Sequence, residues 1–77
     1  MAGYTVKITW DDEARVWYVD ESDVPGLCIE AATVDLMAER LAVIIPELLD
    51  ENGVESSADV PFDLLAARHA VAHRRRA

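Results

Sequence analysis

This 77-residue chain lacks the reinforcements that small proteins commonly use. Its single cysteine, Cys28, excludes an internal disulfide, and His69 and His73 have no Cys pair or third histidine to complete a metal site. No apolar run approaches the ~20 residues that cross a bilayer, and the first residues lack the basic start and apolar stretch of an export signal. We therefore expect a cytoplasmic protein without metal or cofactor, stabilised by self-association, with a dimer as the first expectation.

Motifs for catalysis are also missing. The sequence has no Gly-rich phosphate loop and no Ser-His-Asp order. Carboxylates cluster at residues 11–13 and again at residues 20–23, and such clusters can hold a divalent ion for phosphoryl chemistry. Because the two clusters flank one predicted strand at opposite ends, they do not converge. The sequence predicts a protein that is not an enzyme.

Basic residues are few and unevenly placed. Seven basic residues stand against fifteen acidic ones, and residues 74–76 supply three of the seven, so residues 1–73 carry a net charge of −11. A body this acidic repels phosphate backbones and attracts basic proteins. We expect no membrane contact, no nucleic acid bound by the folded part, and a frayed basic tail at 74–77. The alternative, in which residues 74–76 touch nucleic acid, predicts a gel shift that needs them.

The first half of the chain reads as three strands. Residues 4–10 alternate, with Tyr4, Val6, Ile8 and Trp10 on one face. A polar turn leads to a second strand over 15–20, which is apolar on both faces and is therefore expected at the centre of the sheet. A Pro25-Gly26 turn of type II precedes a third strand over 27–31, in which Cys28 is expected as a small buried residue.

The second half begins with an amphipathic helix. Thr33 caps it, and apolar residues recur at steps of three and four as far as Leu48. Pro46 is expected to kink the helix, and Gly53 to end it. The segment 61–72 is ambiguous, because its alanines favour a helix while alternate apolar residues also fit one face of a strand.

Four apolar residues are the candidates for binding a partner protein. Trp17 and Val19 share the second face of the second strand, and aromatic residues are enriched in interface cores. Phe62 and Leu64 share one face of the last segment if that segment is a strand. For Trp17 the other interpretation is packing beneath the C-terminal segment of its own chain.

Several of these motifs together resemble the HicB-like antitoxin family. The turn Asp23-Val24-Pro25-Gly26-Leu27 and the helix start at residues 32–36 are similar to family motifs. The hairpin over residues 8–18, the helix end Ile45-Pro46-Glu47-Leu48-Leu49 and the pair Pro61-Phe62 resemble its short branch, domain of unknown function 1902. The resemblance extends over nearly the whole chain, so residues 1–77 are expected to form one HicB-like domain.

The resemblance implies an α+β fold of order β-β-β-α-β: a single antiparallel sheet with one amphipathic helix packed on one face. It favours a fourth strand over residues 61–71. It also implies an antitoxin that binds a small basic ribonuclease toxin and blocks its active site. The family's Gly-Asp is Ala31-Ala32 here, its turn cysteine is Leu27, and no DNA-binding module is expected after residue 73. The alternative function is a small structural or regulatory homo-oligomer with no toxin partner.

Overall fold

The computed structural model describes residues 3–54 and 59–75. Within them the chain forms four strands and one helix in the order β-β-β-α-β, with the helix packed on one face of a single sheet. The elements are β1 (Tyr4–Asp11), β2 (Val16–Ser22), β3 (Glu30–Ala31), α1 (Val34–Glu51) and β4 (Phe62–Ala67). The predicted α+β class and element order are confirmed. No helix of the described residues is both long and apolar enough to cross a membrane.

The sheet is mixed rather than wholly antiparallel, which corrects one part of the prediction. Its strand order is β3-β2-β1-β4; β2 pairs antiparallel with β1 and β3, whereas β4 pairs parallel with β1. The direction of β4 follows from the connection. Two antiparallel pairings make β3 run the same way as β1, and a helical crossover returns the chain so that the next strand repeats the direction of β3.

The two turns of the sheet form where they are predicted, but the first also includes Arg15, so β2 covers Val16–Ser22 rather than the expected 15–20. Asp11 accepts hydrogen bonds from the amides of Glu13 and Ala14, which closes the first turn and leaves Arg15 at φ 61°. In the second turn Leu27 donates to the carbonyl of Val24, and Gly26 has the positive φ of 76° that a type II turn requires at this position.

A β-bulge changes the pairing of the first hairpin. Ile8 lies opposite Val19, but the preceding Lys7 lies opposite Glu21, so Asp20 has no partner in the ladder. The extra residue returns Glu21 to the same face as Lys7, and the two side chains form an ion pair at 3.7 Å.

Helix α1 begins and ends at the predicted residues. The Thr33 hydroxyl accepts from the amide of Leu36 at 3.0 Å, Pro46 is accommodated within a continuous helix, and Asn52 closes the C-terminus before Gly53 at φ 77°. The helix spans the sheet from the end near Trp17 to the end near Phe62.

The core lies between α1 and the face of the sheet that carries the even-numbered residues of β1. Val6 and Ile8 of β1 and Met37, Leu41 and Ile45 of α1 are fully buried. Full burial of one such side chain stabilises the fold by about 1.5–3 kcal/mol, so these residues supply much of the driving force. Val24, Ala31 and Leu49 complete the buried cluster.

Three expectations about the strands need correction. Cys28 is exposed rather than buried, because the segment 27–29 turns Leu27 and Ile29 toward the core and leaves the intervening side chain outside. The ladder of β3 includes only Glu30 and Ala31. Strand β4 covers Phe62–Ala67 rather than 61–71; its last pair is Ala67 with Thr9, although β1 continues to Asp11. Residues 55–58 of the predicted loop and residues 76–77 of the predicted tail lie outside the described residues.

Candidate protein-binding surfaces

The four residues predicted to bind a partner lie on the face of the sheet beneath the helix. Trp17 and Val19 stand opposite Trp10 and Ile8, while Phe62 and Leu64 stand beside Tyr4 and Val6 on the other flank of β1. All four predicted residues are partly buried and pack against the core. The structure separates them into two pairs with β1 between, and both pairs use most of their surface inside their own chain.

Phe62 also lines a groove between α1 and β4. The groove has a volume of about 350 Å³ and is mostly apolar, with Asp50 and Asp59 as its charged groups. Other lining residues include Leu41, Ile45, Pro46, Leu49 and Val60. The groove extends from the core toward the edge of the sheet.

The tryptophans stand at the opposite end of the sheet. Trp10 contacts Trp17 with ring centroids 5.5 Å apart, and its indole N–H donates to Asp12 at 3.1 Å. The guanidinium groups of Arg15 and Arg68 lie 5.6 and 4.7 Å from the Trp10 ring centroid. Trp17 therefore packs on Trp10, and it is Trp10 that meets the segment after β4.

The second face of the sheet has no helix of the described chain over it, and we call it the open face. Pairing across the strands places Glu30, Tyr18, Thr9 and Ala67 in one row and Glu21, Lys7 and Leu65 in the next, with Asp63 beside Thr5. Tyr18 is 36% exposed and Leu65 is 51% exposed. The open face presents two uncovered apolar side chains among charged ones.

Carboxylates dominate the charge of the open face. Glu21, Glu30 and Asp63 are exposed on it, and the carboxylate of Asp20 reaches it to accept from the Thr9 hydroxyl at 3.3 Å. Lys7 is the cation within these rows, and its ammonium is already paired with Glu21. The face therefore presents net negative charge around Tyr18.

The acidic residues of the two predicted clusters do not meet. Residues 11–13 are at the Trp10 end of the hairpin and residues 20–23 at the Tyr4 end. Within the ranges 3–54 and 59–75, no three side chains of the His, Cys, Asp and Glu types come together as metal ligands. His69 and His73 are exposed on an extended segment rather than on one face of a helix.

Comparison with known protein families gives a match over residues 3–74 to the family described as Domain of unknown function (DUF1902). The chain belongs to the DUF1902 family. This DUF1902 chain is also similar to a solved structure, that of a hypothetical protein, TTHA1013, from the extremely thermophilic bacterium Thermus thermophilus. The identity is 42%, the match includes 91% of this chain and 99% of the other, and the TM-score is 0.61. No curated protein matches.

The open face of this DUF1902 domain was not among the sequence-based candidates. The sequence of β1 shows part of this face, because residues 5, 7 and 9 are polar and alternate with the apolar residues. What the sequence does not reveal is that Tyr18 and Leu65, two strands apart, belong to this face. That relationship depends on β4 pairing with β1 and on its register.

Proposed function

We propose that this DUF1902 chain is a non-catalytic, cytoplasmic protein-binding domain that masks a small basic ribonuclease, in the manner of a HicB-like antitoxin. The observation that carries the proposal is the open face. It combines an exposed aromatic side chain, Tyr18, with the carboxylate of Glu30 beside it on β3 and those of Asp20 and Glu21 further along β2. Tyrosine is among the residues that most often dominate binding energy, and a complementary charge accelerates association with a basic partner.

The geometry suits a protein partner better than a small substrate. Glu30 and Tyr18 lie side by side on neighbouring strands, and Leu65 lies one row away across β1. An aromatic residue with a charged rim is typical of protein interfaces, and the depression of about 600 Å³ that Tyr18 and Glu30 line is open to solvent, unlike the enclosed sites that small molecules prefer. In this arrangement the arginines and lysines of a nuclease active site would meet carboxylates where they otherwise meet RNA phosphates.

The first step is to look for a small basic protein encoded in the neighbouring reading frame, and that protein is then the probe. Purified wild-type chain is expected to bind it in a calorimeter and to inhibit its cleavage of RNA. Tyr18→Ala is expected to weaken binding by roughly 30-fold, which corresponds to about 2 kcal/mol for an interface hot spot. Glu30→Arg is also expected to weaken binding, and the loss is expected to grow as the salt concentration falls. The repulsion between the new arginine and the basic partner is then less screened.

Glu47→Arg is the matched control. Glu47 is exposed on the outer side of α1, on the other side of the sheet from the open face, and the substitution makes the same charge change as Glu30→Arg. It is expected to leave inhibition unchanged apart from a small effect of net charge. Equal loss in Glu47→Arg and Glu30→Arg, or full inhibition by Tyr18→Ala, would contradict the proposal.

A second candidate function is a structural or regulatory homo-oligomer that has no toxin partner. The observation that favours it is the free flank of β4 in the described chain, since an unpaired strand edge is a template for another chain. This candidate predicts that the chain self-associates whether or not a ribonuclease is present. Sedimentation of the chain with and without the ribonuclease separates the two candidates, because only the antitoxin is expected to form a heavier complex with it.

A further inference from the structure

Strand β4 lies at the edge of the sheet and is hydrogen-bonded on one flank. It pairs with β1 from Phe62 to Ala67, and no strand within residues 3–54 and 59–75 lies against its other flank. Edge strands are usually protected by charges, prolines or bulges. Asp63 is the only charged residue of β4, and Leu65 in its middle is half exposed. The flank is therefore open to a further strand.

The chain continues from β4 as an extended segment, residues 68–75, which we call the arm. Every residue of the arm is exposed, and Val71 is 67% exposed. Among the described residues, no hydrogen bond or ion pair ties residues 69–75 to the rest of the chain. The radius of gyration is 15.4 Å and the longest dimension 60 Å, whereas a compact chain of this length has a radius of gyration of about 11–12 Å.

The arm and the rest of the chain have opposite charges. The arm contains three arginines and two histidines and no acidic residue, whereas residues 1–67 contain three basic and fifteen acidic residues, a net charge of −12. Since no ion pair joins residues 69–75 to the described part of their own chain, this attraction is unused within one chain. A second copy of the chain offers the same acidic surface to it, and the repulsion between two acidic bodies falls as each binds a basic arm.

We propose that β4 and the arm of one chain pair antiparallel with β4 and the arm of a second copy, about a twofold axis at Arg68. Each arm then forms the strand that the open flank of the other β4 lacks. This register places Leu65 opposite Val71 of the second copy and Asp63 opposite His73. It thus joins the exposed apolar side chain of β4 to the exposed apolar side chain of the arm, and it sets an acidic residue against a basic segment.

The same register is sterically consistent on the face beneath the helix. There Leu64 and Ala66 of one copy meet Ala72 and Ala70 of the other. These alanines leave room for the arm beside α1, and the register sets Arg74 of the second copy opposite Phe62, at the groove that Asp50 and Asp59 also line. Within the arm, the small residues Ala70 and Ala72 therefore lie on the face beneath the helix and the larger Val71 lies on the open face, as the two-residue period of a strand requires.

One contact near the axis opposes the pairing. The two Arg68 side chains are symmetry partners, and like charges directly opposite each other on a sheet are destabilising. Within its own chain, however, the guanidinium of Arg68 lies 4.7 Å from the centroid of the Trp10 ring. That cation–π contact turns each charge toward its own body and away from the axis.

Cysteine cross-linking tests the register. In a Cys28→Ser background, the double substitution Leu65→Cys and Val71→Cys is expected to give a disulfide-linked dimer on mild oxidation, because directly opposite Cβ atoms are about 4.5–5.5 Å apart. The control is Leu65→Cys with Ala72→Cys, whose thiols face opposite sides of the sheet and are expected to remain unlinked. Cross-linking of Leu65→Cys with itself would place the axis within β4 and overturn the proposal.

Sedimentation of full-length variants tests the interaction without cross-linking. Wild type is expected to be a dimer that weakens as salt is added. Val71→Asp is expected to be monomeric, because it buries a carboxylate beside Leu65 and Asp63. The control Val43→Asp, at a residue of α1 that is 63% exposed, is expected to stay dimeric. A monomeric wild type, or a dimeric Val71→Asp, would overturn the proposal.

The dimer experiments and the ribonuclease-inhibition experiment test separate surfaces of the chain. Val71 lies in the arm and Tyr18 in the open face, so a Val71→Asp monomer is expected to retain any binding that Tyr18→Ala removes. Failure of the dimer experiment therefore leaves the proposed function standing, and failure of the inhibition experiment leaves the dimer standing.

Discussion

The indole ring of Trp17 meets that of Trp10 edge-on, with centroids 5.5 Å apart and planes inclined at 62°. The two residues are directly opposite each other in the β1–β2 ladder. This pair lies at the end of the sheet where α1 begins. The Trp10 ring also contacts the guanidinium of Arg68, the first residue of the arm. The Trp10 ring thus contacts both the second strand of the hairpin, through Trp17, and the C-terminal segment, through Arg68.

The tryptophan pair is expected to contribute more than the burial of each ring. In a double-mutant cycle of Trp10→Ala, Trp17→Ala and the double variant, we expect a coupling energy of about 1 kcal/mol, within the range of edge-to-face aromatic pairs. The measurement is urea unfolding followed by far-UV circular dichroism, at one protein concentration throughout. Additive losses would show that the two rings stabilise the fold separately.

Helix α1 offers a comparison between an inward and an outward side chain. Leu41 is fully buried and Val43 is 63% exposed. Leu41→Ala is expected to lower the free energy of unfolding by about 3 kcal/mol, since it removes apolar contacts and leaves a cavity. Val43→Ala is expected to change it by less than about 0.5 kcal/mol. Similar losses in the two variants would mean that the helix packs through a different face.

The cap of α1 is testable through one hydroxyl group. Thr33→Ala removes the acceptor for the Leu36 amide, 3.0 Å away, and is expected to lower the free energy of unfolding by about 1 kcal/mol. Thr33→Ser keeps the oxygen and is expected to retain most of the stability. Thermal or urea denaturation of both variants gives the comparison, and a Ser variant as unstable as the Ala variant would point to packing of the threonine methyl instead.

Local chemistry was enough to predict most of the fold. The alternation of Val6 and Ile8 predicted the buried face of β1, and both residues are fully buried. Thr33 and Gly53 marked the ends of α1 because capping and positive φ depend on a few neighbouring atoms. Such features are encoded within a few residues and can be read without knowing the rest of the structure.

Features that depend on distant partners were harder to predict. The alanines of β4 favour a helix by intrinsic propensity, but pairing with β1 makes residues 62–67 a strand. The parallel direction of that pairing depends on how α1 crosses the sheet. The contact of Arg68 with Trp10 joins residues far apart in sequence, and no spacing rule identifies it.

The position of β1 has a consequence for the newly made chain. Of the four strands β1 is synthesised first, yet its second neighbour is β4, which follows α1. A nascent polypeptide therefore carries an unsatisfied row of β1 amides until late in the translation of the domain, and sheet completion must wait for residues 62–67 to clear the ribosome. We expect synthesis rate and early chaperone contact to govern how much of this domain escapes aggregation.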